Sequence, residues 1–272
     1  MVRRLGSLLV LVGALAVVSS ASAAFPGPMA VQGGAGLASL DGSLHFVATG
    51  AGAGTRIDAV VTGGGATARS RTVPGAFGTV AVTPTGNAGG LFHDGSAFVL
   101  QNLGIKATSR FLIVGAKDLA VRDTIALKGV FGFDALSPDG SRLYLIQHTS
   151  TQDIQHYIVR AYDLATHTLL HGRVADKTQR SWVMKGWAVN RVTSADGRWV
   201  YTLYANPGGY PFIHALDTVR GVAHCIGLPW KATDQNAVYS FNLALKGSSV
   251  VVRRSDGRVW RTVDTKTWRI SK

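Results

Sequence analysis

The chain has 272 residues, with 28 Lys or Arg against 15 acidic residues and a formal charge of +13. Every acid is Asp, Gly occurs 33 times and Cys once. Absence of Glu with an excess of Gly and Asp excludes a helix bundle or coiled coil, and a single Cys excludes a disulfide scaffold and a Cys-type structural zinc site. Apolar residues at 46% with only 16% charged exclude a disordered chain and leave a β-rich globular protein.

In chain order, residues 1–23 read as a secretory signal. Arg3 and Arg4 begin it, Leu5 to Val18 is apolar or small, and Ala21-Ser22-Ala23 fits the cleavage rule. The apolar run is about 14 residues, short of the roughly 20 that cross a bilayer, so cleavage is preferred to retention as an anchor. No Cys lies nearby to carry a lipid. The mature chain is therefore expected to be secreted, without a transmembrane segment, and to carry 26 basic residues against 15 acidic ones. Such a surface suits anionic envelope polymers. Residues 24–35 form an N-terminal segment in which 28–33 offers a strand for closing a ring.

From residue 36 onward one phrase recurs five times. It reads Asp41-Gly-Ser-Leu-His-Phe-Val, Asp94-Gly-Ser-Ala-Phe-Val-Leu, Asp139-Gly-Ser-Arg-Leu-Tyr-Leu, Asp196-Gly-Arg-Trp-Val-Tyr-Thr and, degenerately, Lys246-Gly-Ser-Ser-Val-Val-Val, at gaps of 53, 45, 57 and 50 residues. Asp-Gly followed by aromatic and β-branched residues marks a tight turn feeding a strand. A second phrase, centred on Asp118, Asp163, Asp217 and Asp264, follows the last four by 24, 24, 21 and 18 residues and marks a second hairpin. Each unit thus holds four strands, the blade of a β-propeller. The units run 36–75, 76–129, 130–186, 187–236 and 237–272, with inner strands expected at Phe131–Leu136, Trp187–Val192 and Val238–Leu243. Five blades are counted. A sixth would need 24–35 plus part of the first unit, and a two-sheet sandwich is the other architecture weighed.

Ser137-Pro-Asp-Gly-Ser-Arg-Leu-Tyr-Leu, followed by Val159-Arg-Ala-Tyr-Asp-Leu-Ala-Thr, resembles the YVTN-type repeats of bacterial β-propellers and, more loosely, WD-repeat blades. The resemblance is best over 130–220 and poorest over 36–75. It implies a propeller and no particular chemistry.

Little in the sequence points to catalysis. Nine of the 15 Asp belong to turns. Asp134, Asn190 and Asn242 interrupt inner strands and are candidates for a polar channel. The eight His form no compact ligand motif, so neither metal nor cofactor is expected. Cys225 reads as a small buried hydrophobe. The two kinds of Asp turn share one end of a propeller, and the opposite end gathers the longer connections, among them Val174–Gly186 and Tyr204–Pro211. Those loops hold Trp182, Tyr204, Tyr210, Trp230, Lys177 and Arg180, an aromatic and basic set suited to a glycan, an anionic polymer or a protein. The leading reading is a monomeric, exported, non-enzymatic propeller that binds such a partner there, with no specific nucleic acid. The alternative is a hydrolase of lactonase or esterase type using channel groups such as Asp134.

Ten Gly between residues 33 and 65, with Phe46 as the one aromatic there, make the first unit the expected soft element. Amides of 43–61 should exchange with solvent deuterium before those of 142–164. Equal protection of both windows would show that ring closure has made the blades uniformly rigid.

Overall fold

The structure, a computed structural model, describes residues 29–34, 36–81, 90–152, 154–178, 183–230 and 235–272. The expected signal segment, and Arg180 and Trp182 of the expected site, lie outside them.

The chain folds as a five-bladed β-propeller of antiparallel sheets. The first sheet is Leu37–Ala38, Leu44–Ala51, Gly54–Val61 and Thr67–Pro74; the second is Phe77–Ala81, Ala97–Asn102, Thr108–Gly115 and Val121–Lys128. The third is Phe131–Leu136, Arg142–His148, His156–Asp163 and Thr168–Leu169, and the fourth is Trp187–Thr193, Trp199–Ala205, Phe212–Asp217 and Val222–Gly227. Asn242–Lys246, Ser249–Arg253, Val259–Asp264 and Ile270–Ser271 make the fifth. Among the described residues no helix is long and apolar enough to cross a membrane.

The paired phrases act as expected because their Asp side chains close turns. Asp139 Oδ1 accepts from Ser137 Oγ at 2.5 Å and from the Ser141 amide at 3.0 Å, and Asp41 holds Ser39 and Ser43 in the same way. Those donors favour the carboxylate and hold the Asp41 carboxyl down to about 2. In the second hairpins the fourth residue after the Asp is left-handed: His167 at φ 53°, Gly221 at 66° and Trp268 at 59°. Asp118 departs from this register. The left-handed residue there is Leu119, whose amide bonds to Gly115 O, and Asp118 instead pairs with Arg122 at 2.7 Å. Trp268 adopts a backbone that disfavours bulky residues, and its ring packs 4.8 Å from His224 and 5.5 Å from Trp199 of the fourth sheet.

Three expectations are corrected. Residues 29–31 do form a strand, but Met29–Val31 pairs with Phe77–Ala81 of the second sheet, and the fifth sheet takes no strand from it. Val238–Leu243 is not one strand: a 3-10 helix occupies Gln235–Ser240, and the inner strand begins at Asn242. Burying Phe241 against Trp230 and Trp260 sets that bend. The expected loop Val174–Gly186 is an interruption of the third sheet's outer strand, because Val174 bridges Val159 and Met184–Lys185 rejoins His156–Tyr157.

A third repeated phrase, not read from the sequence, joins blade to blade. Gly75, Gly129 and Gly186 stand at the crossings, each with positive φ. Thr55 Oγ1 donates to Gly75 O at 2.7 Å and accepts from the Phe77 amide at 2.8 Å; Ser109 does the same for Gly129 and Phe131. Tyr157 takes the equivalent place in the third sheet. Apolar clusters fill the successive interfaces, from Phe46 and Ile57 against Phe98 and Val114 through to Leu203 and Ile213 against Leu243 and Val252. Among the described residues no buried apolar cluster joins the fifth sheet to the first.

A Cβ at Gly186 would meet the Ala205 carbonyl oxygen at 2.3 Å, on a backbone at φ 132°, whereas one at Gly172, φ 90°, meets nothing within 4 Å. Gly186→Ala should therefore cost on the order of 2 kcal/mol or more in denaturant unfolding, and Gly172→Ala only about 1 kcal/mol. Equal losses would show that the crossing tolerates displacement.

Candidate functional site

Asp134 and Arg191 each stand five residues before their turn Asp, on the inner strands of adjacent sheets. Equivalent positions of neighbouring blades face one another across the interface, and here the two carry opposite charge. Arg191 Nη2 donates to Asp134 Oδ1 at 2.5 Å, Nη1 donates to the Asp134 carbonyl oxygen, and Nε donates to Thr202 Oγ1 at 3.0 Å. Both side chains are at least 97% buried. Removing one partner of such a pair strands the other charge, so the pair fixes how the two sheets meet more than it adds net stability.

Beside the pair, Asp134 Oδ2 and His214 Nε2 are buried without a hydrogen-bond partner among the described residues, and the Tyr157 and Tyr204 hydroxyls are buried against each other. The Tyr157 and Tyr204 rings are 5.8 Å apart, and Tyr204 meets His214 edge-on at 6.3 Å. Burial, reinforced by the Asp134 charge, raises both phenols above their ordinary value. Burial also lowers the His214 pKa, keeping the imidazole neutral. Buried polar atoms of this kind are met by water or a ligand.

His214 Nδ1 lies 3.7 Å from Cys225 Sγ, whose backbone amide donates to Asp176 Oδ2 at 2.8 Å. This is not an activated thiol. Burial, with Asp176 beside it, pushes the Cys225 pKa up to about 12, so the thiolate that a nucleophile requires is suppressed.

The three expected channel residues do not converge. Asp134 belongs to the pair with Arg191, while Asn190 and Asn242 tie the fourth sheet to the fifth. Asn190 Nδ2 approaches Asn242 Oδ1 at 3.3 Å, and Asn190 Oδ1 accepts from the Leu243 amide at 3.0 Å. The channel end ringed by the Asp-Gly turns holds a cavity of about 190 Å³. Leu40, Phe92, Ser137 and Thr193, from four successive sheets, ring it, and Asp134 and Arg191 also line it.

The long-loop end carries a separate cleft of about 70 Å³ between the fourth and fifth sheets. Asn206, Pro207, Pro211, Trp230, Asn236 and Tyr239 line it. Tyr210, 59% exposed, stands on the loop that forms one wall, and Tyr239, 43% exposed, on the other. Trp230 packs at 5.0 Å from Trp260 and 5.6 Å from Phe241, and its Nε1 is buried with no acceptor among the described residues. The structure thus brings Trp230 and Tyr210 of the expected set to one cleft and adds Tyr239. It separates Tyr204, which is fully buried in a strand and stacks on Phe212 at 5.0 Å. It also separates Lys177, which is exposed on the interrupted outer strand, next to an Asp176 bound to the fourth sheet's outer strand.

No protein-family model matches the sequence, and no curated protein is detectably similar to it. The fold is similar to the β-propeller domain of Myceliophteria thermophila Cps50 (Swd1), with a TM-score of 0.51 and 10% identity over 88% of this chain and 70% of that one. Saccharomyces cerevisiae Sqt1 gives a TM-score of 0.52 and 10% identity over 87% of this chain and 61% of that one. TolB from Acinetobacter baumannii gives 0.45 and 13% identity over 85% of this chain and 53% of that one, so this chain spans about half the TolB length. At these identities the likeness speaks for the fold alone.

The neutral, buried His214 makes stability depend on pH. Its native pKa lies below the ordinary 6.5, so under acid the unfolded chain takes up a proton that the native state refuses. The stability it contributes is complete above the ordinary value and is lost as pH falls below it. His148, partly buried and lowered likewise, adds to the effect. The urea midpoint should fall between about pH 6.5 and 5, and His214→Phe should flatten that fall. An unchanged slope in the variant would assign the acid sensitivity elsewhere.

Proposed function

We propose that this protein is an exported, non-enzymatic β-propeller that binds a partner, a protein or an anionic or glycan envelope polymer, through its long-loop end. The observation that carries the reading is the Trp230 indole N–H, buried without an acceptor among the described residues, in a residue that lines a cleft between two exposed tyrosines. Trp N–H groups normally find a partner when buried, and an aromatic cleft with one unused donor accepts a carbonyl or hydroxyl oxygen. Lys106 on a connection, and Arg110 and Lys185 at strand ends, are exposed and supply positive charge at the same end of the propeller. Lys177, exposed on the third blade, would extend the surface outward, and Arg180 and Trp182 of the expected set lie outside the described residues.

The alternative hydrolase fits the channel less well. Asp134 gives Oδ1 and its carbonyl oxygen to Arg191, so its carboxylate is committed to the blade interface rather than free to take a substrate proton. Cys225 is held as the thiol.

Tyr210→Ala with Tyr239→Ala removes exposed rings only, and Trp230→Phe keeps the packing while deleting the donor. Each should leave the melting temperature within a few degrees and weaken capture of envelope material by about tenfold or more. Unaltered capture by both variants would overturn the reading. Polymer binding through the basic residues should also weaken steeply between low and physiological salt, whereas a packed protein interface should resist salt.

A further inference from the structure

The Asp-Gly-turn end of the channel offers a second site, independent of the long-loop cleft. Its cavity of about 190 Å³ is ringed by four successive blades and lined in part by a buried ion pair. The pair restricts what can enter. Arg191 directs three of its five N–H donors at Thr202 and Asp134, and its charge is already matched by the Asp134 carboxylate, so it offers an anion little net charge. Asp134 is already neutralised, so it offers a cation little net charge. The acceptor that the pair leaves without a donor is Asp134 Oδ2, on a residue 1% exposed that lines the cavity.

The remaining wall is mixed. Phe92, Leu91, Leu136 and Pro138 are apolar, while His93 and Thr193 are exposed at the rim. The rim is also sterically set: a Cβ at Gly197 would meet His93 Nδ1 at 3.0 Å, and one at Gly140 would meet the Phe92 ring at 3.0 Å. His214 Nε2 adds a second buried atom without a partner among the described residues, on the fourth sheet beside the buried Tyr157 and Tyr204.

We propose that this cavity binds a small neutral hydroxylated molecule of monosaccharide size. One hydroxyl donates to Asp134 Oδ2, an apolar ring face lies on Phe92, and His93 and Thr193 bond hydroxyls at the mouth. Net charge on the ligand works against binding, because the ion pair is complete. A ligand hydroxyl at Asp134 supplies the donor that its Oδ2 lacks.

The test is calorimetric titration of the full chain with glucose, mannose and ribose, alongside glucose 6-phosphate and glucosamine. At least one neutral sugar should bind saturably in the millimolar range or tighter, with its charged counterparts about tenfold weaker or more. Phe92→Ala and Asp134→Asn should each weaken binding about tenfold. Thr193→Val, at an exposed position, should also weaken it and decides the case if Asp134→Asn does not fold. No saturable heat from any neutral sugar would overturn the proposal. So would tighter binding of the phosphate, or affinity unchanged by both Phe92→Ala and Thr193→Val. Tyr210→Ala and Tyr239→Ala should leave sugar binding untouched, which separates this site from the long-loop cleft.

Discussion

The second, third and fourth sheets must each satisfy two neighbours at once, and the rest of the structure follows from that demand. A strand alternates its side chains between faces, so a blade buries one set against the blade before it and the other against the blade after. Phe46 and Phe98 stack at 4.6 Å across the first interface, and comparable apolar layers fill those that follow. The hydroxyls of Thr55 and Ser109 do the polar part of the same task, meeting backbone groups that the crossings between blades would otherwise leave bare.

The interface between the third and fourth sheets breaks this pattern. Tyr157 stands where a stapling hydroxyl stood in the first two sheets, and Asp134 and Arg191 fill equivalent inner positions with opposite charges. A buried ion pair and unmet polar atoms are costly in a core. An apolar interface of the kind found elsewhere in the ring would have been simpler to stabilise. Their concentration at one seam, beside the channel cavity, is the reason this seam is assigned a binding role.

The two ends of the ring are built by different rules. One end consists of turns whose geometry is fixed by Asp carboxylates and positive-φ glycines, leaving a cavity with a rigid rim. The other consists of longer connections that lay Trp230, Tyr210 and Tyr239 around a cleft. Rigid scaffolding with variable loops at one end is a common arrangement for recognition. Here it coexists with the channel mouth for which a smaller ligand is proposed.

The sequence by itself determined the architecture, because Asp-Gly turns and the β-rich runs after them act locally: each needs only its own neighbours to form. Five units, their boundaries and two correct inner strands were legible for that reason, as was the distinctness of Asp134. Arg191 was legible in principle, since it stands at the same repeat position as Asp134, and so were the crossing glycines at 75, 129 and 186. The tertiary structure alone decided what depends on contacts between distant segments. It sent Met29–Val31 to the second sheet, interrupted the third sheet's outer strand, buried Tyr204 and paired Asn190 with Asn242 rather than with Asp134. Side-chain burial and partner choice at a blade interface are set by the facing blade, some 50 residues away in the chain. No local pattern carries that information.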